Sequence, residues 1–407
     1  MSSLTLRAQA FGPLAKVEWT IPPGVSAIVG PNRVGKSTLL ALPEFLRIAF
    51  LENLNDAVRA IFDGPAYLRN FGMSTLDTCH VGISSDDSTW DVDIALAGGA
   101  VAQYCAESLR WRSEVVLTRK FGSSTGECKG RAVSIGTELL PVVCTEHGMR
   151  VMGGEFYNIL LGMESEHEAL LPFARHAVLA GGQLVADTYQ FLTYGTYRYE
   201  IQHLVKFGSV HTDGIQLERA GANAFPLLRN WRDNGDTEAR FEFVVSTLRE
   251  AFPHVNRVDF EQAGQTVTMA IRDRRWPDRK VPISRESTGF VTALLQLCAV
   301  ASTPKNGLVT IDELETSLHP HAIRVLIEAF RRWADEHDLR IVLATQSETV
   351  LDQFHDDPGK IYVIEPGQDT SPRSLTDLFD GDYLNQFSLG DLFSHLEFGS
   401  NREPTSP

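Results

Sequence analysis

The run Gly30-x4-Gly35-Lys36-Ser37 constrains this 407-residue chain more than any other feature. Ahead of it, Val25 to Val29 is a short apolar run that reads as a buried strand. Behind it, Leu39 to Leu42 and Phe45-Leu46 begin a helical pattern. Strand, glycine loop and helix in that order form the setting a phosphate-binding loop needs. The glycines let backbone N–H groups converge on a phosphate, and the helix N-terminus adds favourable electrostatics. Gly30, Asn32, Arg33, Gly35, Lys36, Ser37 and Thr38 are thus candidate nucleotide contacts. Lys36 would reach the β- and γ-phosphates, and the Ser37 hydroxyl would ligate Mg²⁺. The bland reading, a glycine turn with a surface lysine, leaves the serine after the lysine unexplained.

A matching second half lies far downstream. Leu308-Val309-Thr310-Ile311 is an apolar strand that ends in Asp312 and Glu313. Asp312 is placed to hold Mg²⁺ through water, and Glu313 to polarise an attacking water as general base. Taken alone, a strand ending in two acids is a commonplace solvated end; with a phosphate loop upstream it becomes the complement of that loop.

Composition narrows the surroundings. Acidic residues number 52 and basic ones 37, for a net charge of −15. That disfavours a protein that coats nucleic acid through a generally basic surface, although one basic patch would suffice for local binding. No apolar stretch is long enough for a membrane span, and the N-terminus lacks the pattern of a signal peptide. Five cysteines at wide, irregular spacing fit neither a disulfide framework nor a zinc site. The expectation is a soluble, acidic protein of a reducing cytoplasm.

The pattern along the chain predicts an α/β fold with four parts. Residues 1–150 read as a lobe carrying the phosphate loop and, from about 79 to 145, an antiparallel β subdomain. Residues 151–280 read as a mostly helical insertion or lid, with a return to strands at Val258–Phe260 and Thr266–Ile271. Residues 281–400 read as a second α/β lobe: a helix from about Phe290, the strand ending at Ile311, a helix from Pro320 to Glu336, and strands at Arg340–Ala344 and Lys360–Ile364. Residues 401–407 are expected to be a disordered tail. The chain has no sustained heptads, so long coiled-coil arms are not expected.

Three further segments resemble parts of ATP-binding-cassette (ABC) ATPases. Ser287-Thr288-Gly289, just before the helix at Phe290, resembles the signature in which a Ser-x-Gly at a helix start caps the γ-phosphate of ATP held by the opposite subunit. Glu315-Thr316-Ser317-Leu318-His319-Pro320 resembles the D-loop in the Leu-His-Pro form of RecF-like, SMC-like and OLD-like ATPases, with Ser317 a further contact. Leu343-Ala344-Thr345-Gln346-Ser347 ends the next strand where that superfamily carries a switch histidine. Gln346 stands in its place; a glutamine can hydrogen-bond a γ-phosphate oxygen but carries no positive charge, so the expectation is either slow hydrolysis or a site tuned for binding. Arg33 and Val34 also depart from the usual loop sequence. The position of a Q-loop is not legible, and Phe11 reads equally as a neighbour of the adenine or as core.

Order and spacing make the chain similar to the compact ABC-type, AAA-like ATPases of bacterial phage-defence systems, such as the Septu ATPase and the N-terminal half of OLD proteins. His211 to Leu228 and Asn385 to Leu392 look like further segments of that group. The resemblance implies a two-lobed P-loop ATPase head that binds ATP and Mg²⁺. It implies a homodimer or higher homo-oligomer, with catalytic Glu313, Lys36 and Gln346, metal-holding Ser37 and Asp312, and Ser287 and Gly289 acting on the other subunit's ATP. It also implies control of a separate effector, a nuclease or toxin. Two other readings stay open: a RecF-like ATPase acting directly on DNA, and a non-hydrolysing ATP-dependent scaffold that restrains a nuclease. The chain after Ile364 is too short for the TOPRIM nuclease of OLD proteins, and Asp377, Asp380, Asp382 and Asp391 read as solvated turns. The cluster Arg272 to Lys280 admits three readings: a solvated hairpin tip, a nucleic-acid contact or a partner-docking surface.

Overall fold

The computed structural model describes residues 3–51, 54–62, 64–68, 78–97, 101–111, 114–120, 133–135, 138–140, 191–195, 198–384 and 386–396. The expected tail at 401–407 and the first part of the expected insertion, to residue 190, lie outside them.

The centre is a sheet in the order β10(Phe191–Gly195), β15(Leu308–Asp312), β16(Arg340–Ala344), β3(Gly24–Val29), β17(Ile361–Val363), β18(Arg373–Ser374). Its pairs are parallel except the last. Strands β15 and β16 are buried at every residue, as parallel strands covered on both faces must be. Alternate residues serve two different cores. Val25, Ala27, Val29, Val309, Ile311, Ile341 and Leu343 face one, while Ile28, Leu308, Val342 and Ala344 face the other.

The second core also takes in α1(Lys36–Leu51) and α2(Leu54–Phe62). The hydroxyls of Thr193 and Thr310, on neighbouring strands, lie 3.0 and 2.9 Å from the Leu40 carbonyl oxygen and pin α1 to the sheet. Beyond these helices lies an antiparallel sheet of β2(Leu14–Thr20), β1(Leu4–Phe11), β4(Cys79–Ser85), β5(Ser88–Ala97), β6(Val101–Trp111), β7(Glu114–Lys120), β8(Val133–Ile135) and β9(Glu138–Leu140), in that order. The expected β subdomain is therefore present, and the N-terminal hairpin β1–β2 extends it.

The first core is filled on the other side by helices. Of these, α3(Ile201–Phe207), α4(Ala224–Asp233) and α5(Glu238–Ala251) precede a small sheet of β11(Ser209–Val210), β13(Thr266–Asp273) and β12(Val255–Ala263), with β14(Trp276–Pro282) also on β13. Next come α6(Thr288–Ser302) and α7(Pro320–His337). Helix α6 is buried from Gly289 to Ser302 and forms the centre of this core. Helix α7 is two-faced; it starts on Pro320 at its first position and ends at Asp338 in the left-handed region (φ 53°). The short α8(Glu348–Leu351), α9(Leu375–Leu378), α10(Gly381–Leu384) and α11(Leu389–Leu396) are the last helices among the described residues. Among the described residues, no helix is long and apolar enough to cross a membrane.

Helices and strands alternate in the described part of 151–280, and β10 belongs to the central sheet, paired Gly195 to Asp312. Its partner strand lies over a hundred residues away, so local periodicity gave no sign of it. Strand β14 was likewise unexpected: it is exposed at nearly every position and has no apolar alternation to betray it. The two resembling outer segments act locally. Asn223 accepts from Glu218 N–H at 2.9 Å and donates to the Gln216 carbonyl, closing the loop before α4. Gly390 N–H donates to Asp352 at 2.8 Å and lets α11 lie against Glu348 of α8. Asn385 lies outside the described residues.

Candidate nucleotide site

Register places the site. Asp312 is level with Ala344, and Ala344 with Ile28, across three adjacent strands. The segments that leave these strands (Gly30 onward, Glu313 onward and Thr345 onward) therefore emerge at one edge. Ligands in open parallel sheets bind at this carboxyl edge. A cleft of about 450 Å³ opens there, lined by Asn32, Arg33, Gly35, Lys36, Ser37, Thr38, Asp312, Glu313, Glu315 and Gln346, with Thr316, Ala344 and Thr345.

The loop needs its glycines for contact as well as conformation. Gly30 has φ 158°, and a Cβ on it would sit 2.5 Å from the Ile364 carbonyl oxygen; one on Gly35 (φ 110°) would sit 2.6 Å from Leu14. Arg33, by contrast, takes φ 67° with a full side chain, exposed beside the loop. Lys36 Nζ donates to the carbonyls of Gly30 and Pro31 at 2.7 and 3.0 Å. Burial draws the Lys36 ammonium below its ordinary pKa, while Asp312, Glu313 and Glu315 pull it back up.

Asp312 is almost wholly buried. Burial pushes its carboxyl above the usual aspartate range, and neighbouring Glu313 adds to the rise. A hydrogen bond from Ser37 and the charges of Lys36 and Arg198 act the other way. A buried carboxylate beside a hydroxyl is a donor set that fits Mg²⁺. The folded state binds this proton more tightly than the unfolded chain, so Asp312 lowers stability as pH rises through its raised pKa. Asp312→Asn should therefore raise the melting temperature at neutral pH and converge on wild type in acid. Metal-dependent nucleotide affinity should drop at least about 100-fold, the upper end for the outer partners of a metal ligand. Calorimetric melts across pH, with titrations of Mg-nucleotide, check both.

Glu313 and Gln346 both reach the cleft. Glu313 holds φ 56°, with its N–H on the Ala344 carbonyl at 3.0 Å. Gln346 Nε2 donates to Asn32 Oδ1 at 2.6 Å, which bridges the third segment to the phosphate loop. The sequence reading missed two residues here. Glu315 accepts from the Thr345 hydroxyl (2.9 Å) and the Gln346 N–H (3.1 Å), so it fixes the segment bearing Gln346. Its only signal was its place two residues after Glu313. Arg198 follows β10 and acts electrostatically on Asp312; that strand was hidden, so this cation was too.

Ser287, Gly289 and Ser317 do not line this cleft. Ser287 caps α6, accepting from Phe290 N–H at 3.1 Å, and is exposed together with Thr288. Gly289 is buried against the Ser317 carbonyl, and Ser317 itself has φ 67°. Phe11 belongs to the core, wholly buried edge-on to Phe45 and Phe62. Among the described residues no group of His, Cys, Asp or Glu side chains forms a further metal cluster, Asp377, Asp380 and Asp391 included.

Residues 198–352 match the family model described as "AAA domain, putative AbiEii toxin, Type IV TA system". That span runs from Arg198 past the segment bearing Gln346, so the chain carries an AAA-type domain there. No curated protein matches the chain. Among solved structures it is similar to an SMC head bound to the C-winged helix domain of ScpA (12% identity, 92% of this chain and 99% of that one, TM-score 0.48). It is also similar to the SMC head domain from Thermotoga maritima (12%, 92% and 99%, TM-score 0.42). A third is an Smc head with an extended coiled coil bound to the C-terminal domain of ScpA, derived from Pyrococcus furiosus (11%, 98% and 99%, TM-score 0.46).

Proposed function

We propose that the chain is an ABC-type ATPase, two copies of which meet head to tail over two molecules of ATP. Their closing and opening would control a separate effector, a nuclease or toxin, in bacterial defence against phage. One observation carries the ATPase part: Lys36, Ser37, Asp312, Glu313 and Gln346 share a cleft, while the Ser287 helix start stands exposed outside it. An exposed helix start with a serine cap suits a phosphate oxygen; supplied by a second copy, it would close the cleft and repeat itself by two-fold symmetry.

In this reading Lys36 and the loop N–H groups hold the β- and γ-phosphates, and Glu313 takes the proton of the attacking water. Ser37 and Asp312 hold Mg²⁺, which neutralises charge on the phosphate oxygens when bound. Gln346, oriented by Asn32 and Glu315, hydrogen-bonds the γ-phosphate without adding charge, so turnover is slow. The effector part is supported by the resemblance to phage-defence ATPases and by the matched family's description, which names a putative toxin.

A mixing experiment tests the composite site. Lys36→Ala removes the phosphate contact and Ser287→Arg blocks the cap, so each variant alone should be inactive. A mixed pair still contains one intact site, so an equimolar mixture should regain about a quarter of wild-type turnover if pairing is random. A mixture as inactive as its components, with both variants folded and Ser287→Arg still binding ATP, would sink the proposal.

A further inference from the structure

The segment Arg272 to Lys280 holds five basic residues against two acids on a chain of net charge −15. It forms the connection between β13 and β14, where pairing jumps from Arg272–Lys280 to Asp273–Trp276. Its cations fall into two groups. Arg272 and Arg275 are used within the fold. Arg272 Nε donates to buried Asp259 at 2.6 Å and its Nη1 donates to the Pro277 carbonyl at 3.1 Å, which ties down the tip. Asp273, 5% exposed, accepts from the Arg275 N–H at 2.7 Å and from its guanidinium at 3.2 and 3.0 Å. The guanidinium so fixed lies 4.6 Å from the centre of the Trp276 ring. A buried acid thus locks an arginine, and the arginine braces an indole that stays 51% exposed.

Arg274 and Arg279 form the second group; both are exposed and, among the described residues, make no ion pair. Lys280 is satisfied by Glu261 at 2.6 Å. An exposed indole braced by a hydrogen-bonded arginine, with two further exposed guanidiniums on the same hairpin, offers a stacking face and cations for phosphate. Strand addition by a peptide is disfavoured, because Pro277 and Pro282 remove N–H groups from β14 and Lys280 adds charge to it. Duplex bases are already stacked and offer the indole no free face.

We infer that this hairpin binds single-stranded nucleic acid, an unpaired base stacking on Trp276 and the flanking phosphates meeting Arg274 and Arg279. The local positive charge also draws a polyanion toward a chain whose net charge is −15.

Fluorescence anisotropy with a fluorescein-labelled oligothymidylate of about 20 nucleotides, longer than a typical binding site, tests this on the full chain without ATP. Failure here therefore says nothing against the ATPase reading. Wild type should bind with an affinity that falls with salt, at a log–log slope of about −1.4 for two phosphates at roughly 0.7 each. Trp276→Ala should weaken binding at least about fivefold, with Trp276→Phe retaining most of it. Arg274→Gln or Arg279→Gln should lower the slope by about 0.7. All these side chains are exposed, so the variants should melt like wild type. Absence of oligonucleotide binding, or binding that Trp276→Ala leaves unchanged, would overturn the inference. Binding of labelled decaglutamate instead of the oligonucleotide would overturn it too, and would make the hairpin a dock for an acidic protein.

Discussion

Glu313→Gln should lower ATP turnover by about 10²–10⁴-fold, the usual worth of a positioned general base, and leave ATP holding two copies together. The substitution keeps the size of the side chain and its hydrogen-bonding reach while removing its basicity. Glu313 holds a left-handed backbone at φ 56°, a conformation that costs about 1–3 kcal/mol for a residue with a side chain. Its N–H on the Ala344 carbonyl and the turn closed by Thr316 N–H onto its own carbonyl, at 3.0 and 3.2 Å, retain that conformation. Neither contact involves the carboxylate, so the glutamine variant should fold and melt as wild type does. Lys36, Ser37 and Asp312 are untouched, and ATP affinity should hold. Light scattering should then give one mass without nucleotide and twice that mass with ATP and Mg²⁺, persisting because hydrolysis no longer releases the pair. Single-turnover kinetics should show the loss in the chemical step. Turnover within about fivefold of wild type would mean that another group takes the proton, since a positioned base is worth at least about 10²-fold. An unchanged mass with ATP bound would remove the two-copy site.

How legible this was depended on distance along the chain. Gly30 to Ser37 could be read because strand, loop and helix are consecutive, and Asp312-Glu313 because the acids directly end an apolar run. The Arg340–Ala344 strand was legible as an apolar run, and the Pro320 helix as a long two-faced element. What stayed hidden depends on partners far away in sequence. Strand β10 draws its identity from pairing with β15; Arg198, carried just past it, went unseen with it. Hairpin β1–β2 was missed although Leu4, Leu6 and Ala8 alternate with more exposed neighbours. Glu315 could be read as part of a loop but not as the holder of Gln346, since that contact exists only once β15 and β16 lie side by side. Phe11 shows the limit of residue type: an aromatic near a nucleotide loop reads the same in sequence whether it faces a ligand or, as here, the core.

Gly289→Ala should separate nucleotide binding from closure. In an ordinary helix the change would help, since alanine is favoured over glycine by about 1 kcal/mol. At this position the methyl would overlap the Ser317 carbonyl oxygen, with Leu318 close behind. Neither side gives easily. Helix α6 is buried from Gly289 to its end, and Ser317 is held at φ 67° in a turn where Leu318 N–H meets the Glu315 carbonyl at 3.0 Å. The overpacking should cost about 1–3 kcal/mol, read as a melting temperature lower by roughly 1 °C per kcal/mol for a chain of 407 residues. The larger effect is on function. The displaced turn runs back to Glu313 and Glu315, and Glu315 fixes Gln346, so a shift at Ser317 reaches three residues of the cleft while Lys36 and Ser37 stay in place. ATP should bind a single copy nearly as well as before, with turnover and ATP-dependent doubling of mass both lost. Gly289→Ala with wild-type turnover and association would mean that the α6 start and the Ser317 turn move independently, and that Ser287 closes no site. Loss of ATP binding along with activity would place the damage in the cleft itself. Retained binding with lost association would make the Gly289–Ser317 contact the joint between one copy's catalytic acids and the surface it offers to the other.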